Sequence, residues 1–327
     1  MNPVRSLAHD KVASPEDLGG ATSYEMKFFE NIEVERDRIQ NCIQKFGWTS
    51  DHNLNWWTCG IITPDGVPVF VEFDDGTGLL AHKYPDKWRI WSDPLCDTNI
   101  AVDKIREFSG FILDGSIKEV WCDDVSDKIY PELKKSTGLR LNEIYYYLLW
   151  PVMDIANYDP TLSGGHFKDI RNAKNKFYRE HKVDIVESSR VDKKELNRIV
   201  DDWKKLCSES EKGDAYDLRY HLIIDRDFKG FGTARVMLVD GRPIGFNAGY
   251  EVPNKLGRFA GVIGIHDYSI KETGLIMYLE DIEWMKNAGY DVYDMQGSGD
   301  DGGLKFKMQF NPKIERKTDT FLIKNSG

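Results

Sequence analysis

The most informative part of this chain is a late segment that reads Tyr290-Asp-Val-Tyr-Asp-Met-Gln-Gly-Ser-Gly-Asp-Asp-Gly-Gly-Leu-Lys-Phe-Lys-Met-Gln-Phe310. It starts with a short alternating run, continues through a glycine-rich turn with two acids, and ends with lysines that alternate with apolar residues. Alternation with a period of two predicts a strand with one wet face over 304–310. Glycines such as Gly303 allow close approach to the backbone, so the turn and an inward lysine would form an anion cradle. The alternative is a long hairpin in which Lys305 and Lys307 are solvated.

The composition indicates a soluble, globular chain of one large or two ordinary domains. The chain has 327 residues, of which 41% are hydrophobic and 30% charged, and its net charge is -10. This charge argues against extensive coating by nucleic acid but permits a local basic groove. The five cysteines are scattered and never form a Cys-x-x-Cys pair. We therefore expect reduced thiols, no metal site and a cytoplasmic location.

Neither the first 26 residues nor the most apolar run predicts a membrane segment. Residues 1–26 are polar and lack the apolar centre of a signal peptide, so we expect a flexible leader there. The longest apolar run, 144–153, contains a proline and is too short to cross a bilayer. It predicts a buried strand.

The rest of the sequence repeats one order of elements, which indicates a duplicated α/β unit. In the first half we expect a helix over 28–46, hairpin strands at 56–62 and 67–73, a strand at 88–91, a helix over 98–108 capped by Asp97 or Thr98, and strands at 119–121 and 145–149. In the second half we expect helices over 167–181 and 193–208, hairpin strands at 234–239 and 243–251, a strand at 258–266, a helix over 274–287 ended by Gly289, and strands at 291–294, 304–310 and 320–323.

Three segments of the second half resemble a known group of transferases. They are 158–177, which is a glycine pair followed by a basic helix; 266–290, which is a strand end followed by a helix; and 303–310. They are similar to Fem-type peptidyltransferases and to the catalytic domain of phosphatidylglycerol lysyltransferases in the GNAT superfamily. The resemblance implies an α/β (α+β) fold with an N-terminal GNAT-like domain at 27–157 and a C-terminal, catalytic one at 158–327. Each would hold a mixed, mostly antiparallel sheet flanked by helices.

The resemblance also implies a direct acyl transfer without a covalent enzyme intermediate. Such a site must orient two substrates, accept a proton and stabilise an oxyanion. Asp267 matches the family's functional carboxylate and is our first candidate for the base or for an amine-orienting group. His266 is a rival base, because its unperturbed pKa is about 6.5, and Tyr268 lies beside it. One departure puts the charge pairing of Asp267 in doubt, since Ile270 stands where the family has an arginine.

The donor is predicted from a missing feature. Acyl-CoA enzymes of the superfamily bind pyrophosphate on a basic, double-glycine loop, whereas 270–276 has one glycine and an acid. The resemblance therefore implies aminoacyl-tRNA as the donor, with Lys307, Lys305 and Gly303 near its terminal phosphates. Lys168 and Arg171 on the basic helix are further candidate donor contacts. A solvated helix face is the alternative for these two residues.

These observations give one leading hypothesis and two alternatives. The first is an acyltransferase that uses aminoacyl-tRNA and modifies an amine or hydroxyl of a soluble amine, peptide or small molecule, with no cofactor besides the donor. The second is an acyl-CoA-dependent N-acyltransferase with an atypical CoA site. The third is a catalytically silent relative that binds a small molecule or tRNA. The acceptor and the oligomeric state do not follow from the sequence.

Overall fold

A computed structural model describes residues 26–135, 138–209, 217–299 and 302–325. The expected leader lies outside the described residues except for Met26. The first half contains β1 (Lys27–Phe29), α1 (Arg36–Phe46), α2 (Leu54–Thr58), β2 (Val67–Glu72), β3 (Gly78–Lys83), β4 (Lys87–Ile90), α3 (Ala101–Leu113), β5 (Glu119–Ser126), α4 (Ile129–Lys134), β6 (Leu139–Leu141) and β7 (Tyr146–Asp154).

The second half follows the same alternation of helices and strands. It contains α5 (Lys168–Glu180), β8 (Val183–Glu187), α6 (Lys193–Glu209), α7 (Leu218–Asp225), β9 (Thr233–Val239), β10 (Arg242–Glu251), β11 (Arg258–His266), α8 (Thr273–Asn287), β12 (Val292–Asp294), α9 (Gly302–Met308) and β13 (Lys313–Asn325). A short 3-10 helix, Ser188–Arg190, lies between β8 and α6.

One sheet runs through both halves because the halves exchange strands. The described strands are ordered β1-β2-β3-β4-β5-β13-β7-β12-β11-β10-β9-β8, and β6 pairs with β13. The last strand of the chain, β13, thus lies beside β5 of the first half, where Phe321 and Ile323 join the core under α3. The last strand of the first half, β7, pairs with β12 of the second half. A domain division at 157/158 stays a prediction, since the sheet continues across it.

Each half contains one parallel strand pair in an otherwise antiparallel environment. In the first half β4 pairs with β5, and in the second half β11 pairs with β12. The helix between the two strands is α3 or α8, as a parallel connection requires. The two halves therefore share an architecture, and the predicted mixed sheet is confirmed.

A shared core joins the halves above the centre of the sheet. Trp57 and Phe70 of the first half belong to the same buried cluster as Ile199, Phe246 and Tyr250 of the second half. Burial of such large apolar side chains stabilises a fold by roughly 1.5–3 kcal/mol each. The relative position of the halves is thus fixed by a continuous apolar interface.

Several predicted elements differ from the observed ones in the first half. The predicted strand at 56–62 is wrong, because Asn53 caps helix α2 by accepting from the N–H groups of Asn55 and Trp56 at 3.0 Å each. Trp56 and Trp57 are therefore both buried on a short helix. The helix expected over 28–46 starts only at Arg36, after strand β1, and α3 starts at Ala101 without the predicted cap from Asp97 or Thr98.

The second half agrees better with the sequence analysis. Helices α5, α6 and α8, hairpin β9–β10 and strand β11 lie where they were predicted, within two residues at each end. Gly289 has a φ of +85° after α8, as a helix-ending glycine should. Within the described residues, no helix has both the length and the apolar character needed to cross a membrane.

Candidate active site

The sheet of the second half has an opening between β11 and β12. Strand β11 pairs with β12 only over Arg258–Ala260, whereas it pairs with β10 along nearly its whole length. The described edge of β11 from Gly261 to His266 therefore has a strand neighbour on one side only. Gly264 in this stretch is exposed, and the Tyr293 hydroxyl lies so close to Gly261 that a Cβ there would come within 2.6 Å of it. Beyond Gly261, the backbone of this edge therefore lacks a neighbouring strand on the β12 side.

His266 and Tyr268 lie together at the end of this edge. Their ring centroids are 4.1 Å apart, and Tyr268 is 52% exposed. The His266 imidazole Nδ1 lies 3.3 Å from the carbonyl oxygen of Asp267. The two rings therefore lie against each other, with Tyr268 at the solvent-facing rim of the opening.

The Asp267 carboxylate is directed elsewhere and has a full set of partners. Its Oδ2 accepts from Arg242 Nη2 at 3.0 Å and lies 3.8 Å from Arg198 Nη1, and its Oδ1 accepts from the backbone N–H of Ser269 at 2.7 Å. Burial raises the pKa of this carboxyl, but the Ser269 hydrogen bonds and the two arginines outweigh burial, so the pKa lies below the ordinary value. The charge pairing that Ile270 put in doubt is supplied by two other elements of the fold, β10 and α6.

His266 also covers the start of helix α8. A Cβ on Gly274, in the first turn of that helix, would lie 2.6 Å from His266 Nε2, so only glycine fits below the imidazole. Burial lowers the pKa of His266 from its ordinary value of 6.5, which leaves a neutral imidazole at neutral pH. The residue before the helix, Glu272, has a left-handed backbone with a φ of 68°, and its carboxylate is ion-paired with Lys271 at 3.4 Å.

The predicted strand at 304–310 is wrong, and the segment forms helix α9. Phe306 and Phe310, four residues apart, both pack on Tyr278 of α8, with ring centroids at 5.0 and 5.6 Å. This apolar pair favours a helix, because residues at i and i+4 share one helix face. The two lysines are only two residues apart, and residues at i and i+2 do not share a helix face. Lys305 and Lys307 consequently point to different sides.

The two lysines have different environments on this helix. Lys307 is 9% exposed, and its Nζ donates to the carbonyl oxygens of Gln296 at 2.9 Å and Gly297 at 3.4 Å. Lys305 is exposed, as is Gly303 at the start of the helix. Lys307 therefore fixes the loop after β12, at the second wall of the opening, and Lys305 faces the solvent beyond it.

The basic helix α5 lies beside α8 and away from the end of β11. Arg171 donates through Nη1 to the carbonyl oxygens of Leu162 and of Gly164, the latter at 2.8 Å, and so fixes the loop between the halves. Lys168 is exposed in the first turn of the same helix. The structure thus gives Arg171 a structural function and leaves Lys168 accessible to a ligand.

A polar cluster between the halves has no counterpart among the predicted site residues. We call it the seam cluster and define it as Ser50, Asp51, Asp93, Gln296 and Arg316. Each has at least one buried side-chain N or O atom without a hydrogen-bond partner, namely Ser50 Oγ, Asp51 Oδ2, Asp93 Oδ2, Gln296 Nε2, and Arg316 Nη1 and Nη2. The only sequence signal was Ser92-Asp93-Pro94 at the end of β4, since the other members come from three distant segments.

The seam cluster lies between the two parallel strand pairs. Asp93 follows β4, Gln296 follows β12, and Arg316 on β13 lies 3.6 Å above the Trp150 ring of β7. Arg316 Nη2 is 3.7 Å from Asp51 Oδ2, which is an ion-pair distance but not a hydrogen bond. Burial raises the pKa of both Asp51 and Asp93 to about 6.

Comparisons with solved structures identify the fold. The chain is similar to the C-terminal DUF2156 domain of a protein described as a lysylphosphatidylglycerol synthetase from Agrobacterium fabrum (TM-score 0.61, 15% identity, 90% of this chain and 92% of that chain). It is also similar to FemX (TM-score 0.59, 12% identity, 90% and 96% covered). A tandem GNAT protein from the clavulanic acid biosynthesis pathway matches with a TM-score of 0.56 and 9% identity over 91% of this chain and 98% of that one.

These likenesses confirm the predicted tandem GNAT-like fold and the structural resemblance to the lysyltransferase and Fem-type proteins. At such low identity they concern the fold alone. No protein-family model matches the chain, and neither does any curated protein sequence.

Proposed function

We propose that this chain is an acyltransferase that moves an aminoacyl group directly onto an amine or hydroxyl, with aminoacyl-tRNA as the donor. The observation that carries the proposal is the opening beside β11, whose free strand edge ends at a neutral imidazole, His266, and an exposed phenol, Tyr268. Backbone amides at a strand edge are suited to stabilise the oxyanion of an acyl transfer. A neutral imidazole at the rim is suited to accept the proton of the nucleophile.

The proposed reaction joins the acceptor to the carbonyl carbon of the aminoacyl ester. The acceptor nitrogen or oxygen attacks this carbon and transfers its proton to His266. The ester C–O bond then breaks, and the leaving oxygen of the donor takes the proton from the imidazolium. Asp267 is a positioning residue in this scheme, because its carboxylate is held by Arg242 and Ser269 and its carbonyl oxygen lies beside His266 Nδ1.

The choice of donor is supported by the covered start of α8. Pyrophosphate groups bind at exposed helix N-termini through backbone N–H groups and the helix dipole. Here the His266 imidazole lies over Gly274, and the neighbouring Glu272 is ion-paired with Lys271 at 3.4 Å, so the two side chains add no net positive charge for an anion. Exposed Lys305 and Lys168 provide positive charges at other places on the second half, and there we propose the phosphate contacts of a tRNA.

The acyl-CoA alternative has one specific point in its favour. The tandem GNAT protein of similar fold is described as a structure without AcCoA, which relates that protein to acetyl-CoA. The net charge of -10 is also more easily reconciled with a small donor than with tRNA. For this chain the alternative requires that His266 leave the first turn of α8.

A direct comparison of donors tests the proposal. We expect the full chain to bind aminoacylated bulk tRNA in a filter-binding assay, with an affinity that falls steeply as salt rises. In the same preparation, acetyl-CoA should leave the thermal unfolding midpoint unchanged. Stabilisation by acetyl-CoA together with no retention of tRNA would reject the tRNA donor in favour of acyl-CoA. If labelled amino acid is never transferred from tRNA to any member of an amine pool, the proposed activity is wrong.

A further inference from the structure

The seam cluster contains buried polar side-chain atoms without a hydrogen-bond partner, and burial of such atoms costs free energy. In folded proteins nearly all buried polar atoms have a hydrogen-bond partner, and exceptions mark sites for an ion, a water or a ligand. Asp51 is 6% exposed and Asp93 is 5% exposed, and each keeps one carboxylate oxygen without a donor. The remaining oxygen of Asp93 accepts from the backbone N–H of Ser126 at 2.7 Å. The two orphan oxygens therefore have no donor within hydrogen-bond distance, since the unpartnered Arg316 Nη2 stays 3.7 Å from Asp51 Oδ2.

The charge balance of this region favours a cation. A third carboxylate, Asp124, lies near enough to Asp51 for their charges to interact, and its hydrogen-bond partner is the Thr320 hydroxyl. Among the described residues, the only cation within 4 Å of these three carboxylates is Arg316, at 3.7 Å from Asp51. The nearby acids Asp123 and Asp294 already have partners, Arg89 and Arg258. Arg219 is a second cation whose charge acts on Asp51 and Asp124, so three carboxylates face two arginines and the remaining negative charge attracts a cation.

The kind of cation follows from the donor and acceptor geometry. In the described part of the chain, no group of three or more His, Cys, Asp or Glu side chains is placed to hold a metal ion. An ammonium group has three donors and no acceptor, and it suits the two unpartnered carboxylate oxygens.

We propose that the seam cluster binds the primary ammonium group of a substrate, with Asp51 and Asp93 as its carboxylate ligands. This deepens the proposed function and rests on it for the identity of the amine, which is either the α-ammonium of the aminoacyl donor or the amino group of the acceptor. Arg316, Gln296 and Asp124 are partly exposed and connect the cluster with the surface.

A physical link joins the cluster to the proposed transfer site. Gln296 belongs to the loop that Lys307 holds through two carbonyl oxygens, and the next residue, Gly297, packs against the Trp150 ring with room for no Cβ. Arg316 lies on the same indole ring. An amine held by Asp51 and Asp93 is therefore bound next to the loop that forms the second wall of the opening.

Binding of small probes to the full chain tests this inference without any need for turnover. In isothermal titration calorimetry at neutral pH, alaninamide, which carries an α-ammonium, and n-butylamine, which carries a plain amine, are compared with N-acetylalaninamide and butyrate. We expect an ammonium probe to bind and the two probes without one to fail. If alaninamide alone binds, the site holds the α-ammonium of the donor's aminoacyl group. If n-butylamine binds as well, the site holds the amino group of the acceptor. Binding of butyrate without either amine, or of none of the probes, would overturn the proposal.

Substitutions then locate the bound amine. Asp51→Asn and Asp93→Asn should each lower the affinity for the amine by roughly tenfold or more, because each removes one charge-assisted hydrogen bond. The exposed Asp86→Asn is the matched control and should bind as wild type does. Unchanged binding in both seam variants would place the amine elsewhere and overturn the proposal. Amine binding that persists without any aminoacyl transfer would instead contradict the proposed function and leave the seam site intact.

Discussion

Lys307 donates from Nζ to the carbonyl oxygen of Gln296 across 2.9 Å, and so ties helix α9 to the loop after β12. A second carbonyl oxygen, that of Gly297, lies 3.4 Å from the same ammonium. The lysine that was expected to face a donor from a strand thus stabilises one wall of the opening from a helix. This contact decides what substitutions on α9 should do.

We predict that Lys307→Met lowers the free energy of unfolding by about 1–3 kcal/mol, because two carbonyl oxygens lose their charged donor. Urea denaturation gives this value directly. Lys305→Met on the same helix is the control and should change stability by no more than about 0.5 kcal/mol, as exposed positions do. Equal stabilities of the two variants would contradict the structural function of Lys307.

Gly274→Ala should impair the site through His266. Its Cβ would lie 2.6 Å from His266 Nε2, so the imidazole must leave its place over the first turn of α8. We expect a loss of aminoacyl transfer of roughly 10–100-fold, in the range that general bases contribute. Gly110→Ala, inside helix α3 with no atom near its Cβ, is the control and should stabilise the fold by about 0.5–1 kcal/mol without affecting activity. Full activity of Gly274→Ala would remove His266 from the proposed mechanism.

His266 and Asp267 should respond differently to isosteric substitution. His266→Gln removes the proposed base, so kcat should fall by about 100-fold or more and lose its decline at acidic pH. We expect that decline because the proposed base must be neutral to accept a proton. The pKa of His266 lies below 6.5, so activity is lost when the pH falls through this pKa and the imidazole becomes protonated. Asp267→Asn should retain the pH profile and cost about 1–2 kcal/mol of stability, since Arg242 loses its partner. The opposite result, with a pH profile abolished only in Asp267→Asn, would assign the base to Asp267.

The buried carboxylates of the seam should make stability fall as pH rises. Burial raises the pKa of Asp51 and Asp93 to about 6 and that of Asp124 to about 7, above the ordinary 3.8. Arg316 opposes the pKa shifts of both Asp51 and Asp93, Arg219 opposes that of Asp51, and neighbouring acids add to them, Asp294 at Asp51 and both Asp51 and Asp127 at Asp93. The folded state therefore binds more protons than the unfolded state between about pH 4 and 7, and its stability decreases across that window.

Asp51→Asn tests this dependence, because it removes one of the raised groups. The variant should be more stable than wild type by about 1–3 kcal/mol above pH 7 and should show a smaller slope between pH 5 and 7. Thermal unfolding at a series of pH values measures both effects, with Asp86→Asn as the exposed control. A wild-type slope of the opposite sign would show that these carboxylates are stabilised in their charged form.

Much of the second half was predictable because its signals are local. The spacing of Leu275, Ile276 and Leu279 on α8 and the helix-ending Gly289 act within a few residues, and both predictions are confirmed. The strand expected at 304–310 is wrong because contacts with a residue distant in sequence decide the conformation of this segment. Its lysines alternate, but the contacts of Phe306 and Phe310 with Tyr278 decide the conformation, and Tyr278 is distant in sequence.

The sequence by itself determined the mixed α/β fold class, the places of α5, α6, α8 and β9 to β11, and the position of His266 at the end of β11, and its resemblance to known transferases implied the tandem GNAT-like fold. Apart from what the resemblance implied, these follow from periodicity and from residues adjacent in the chain. Only the tertiary structure decided that β13 crosses into the first half, that Arg242 and Arg198 pair with Asp267, and that Asp51, Asp93 and Arg316 meet at the seam. The physical reason is that these contacts join segments far apart in sequence, whose approach depends on burial of the shared core and not on local preference.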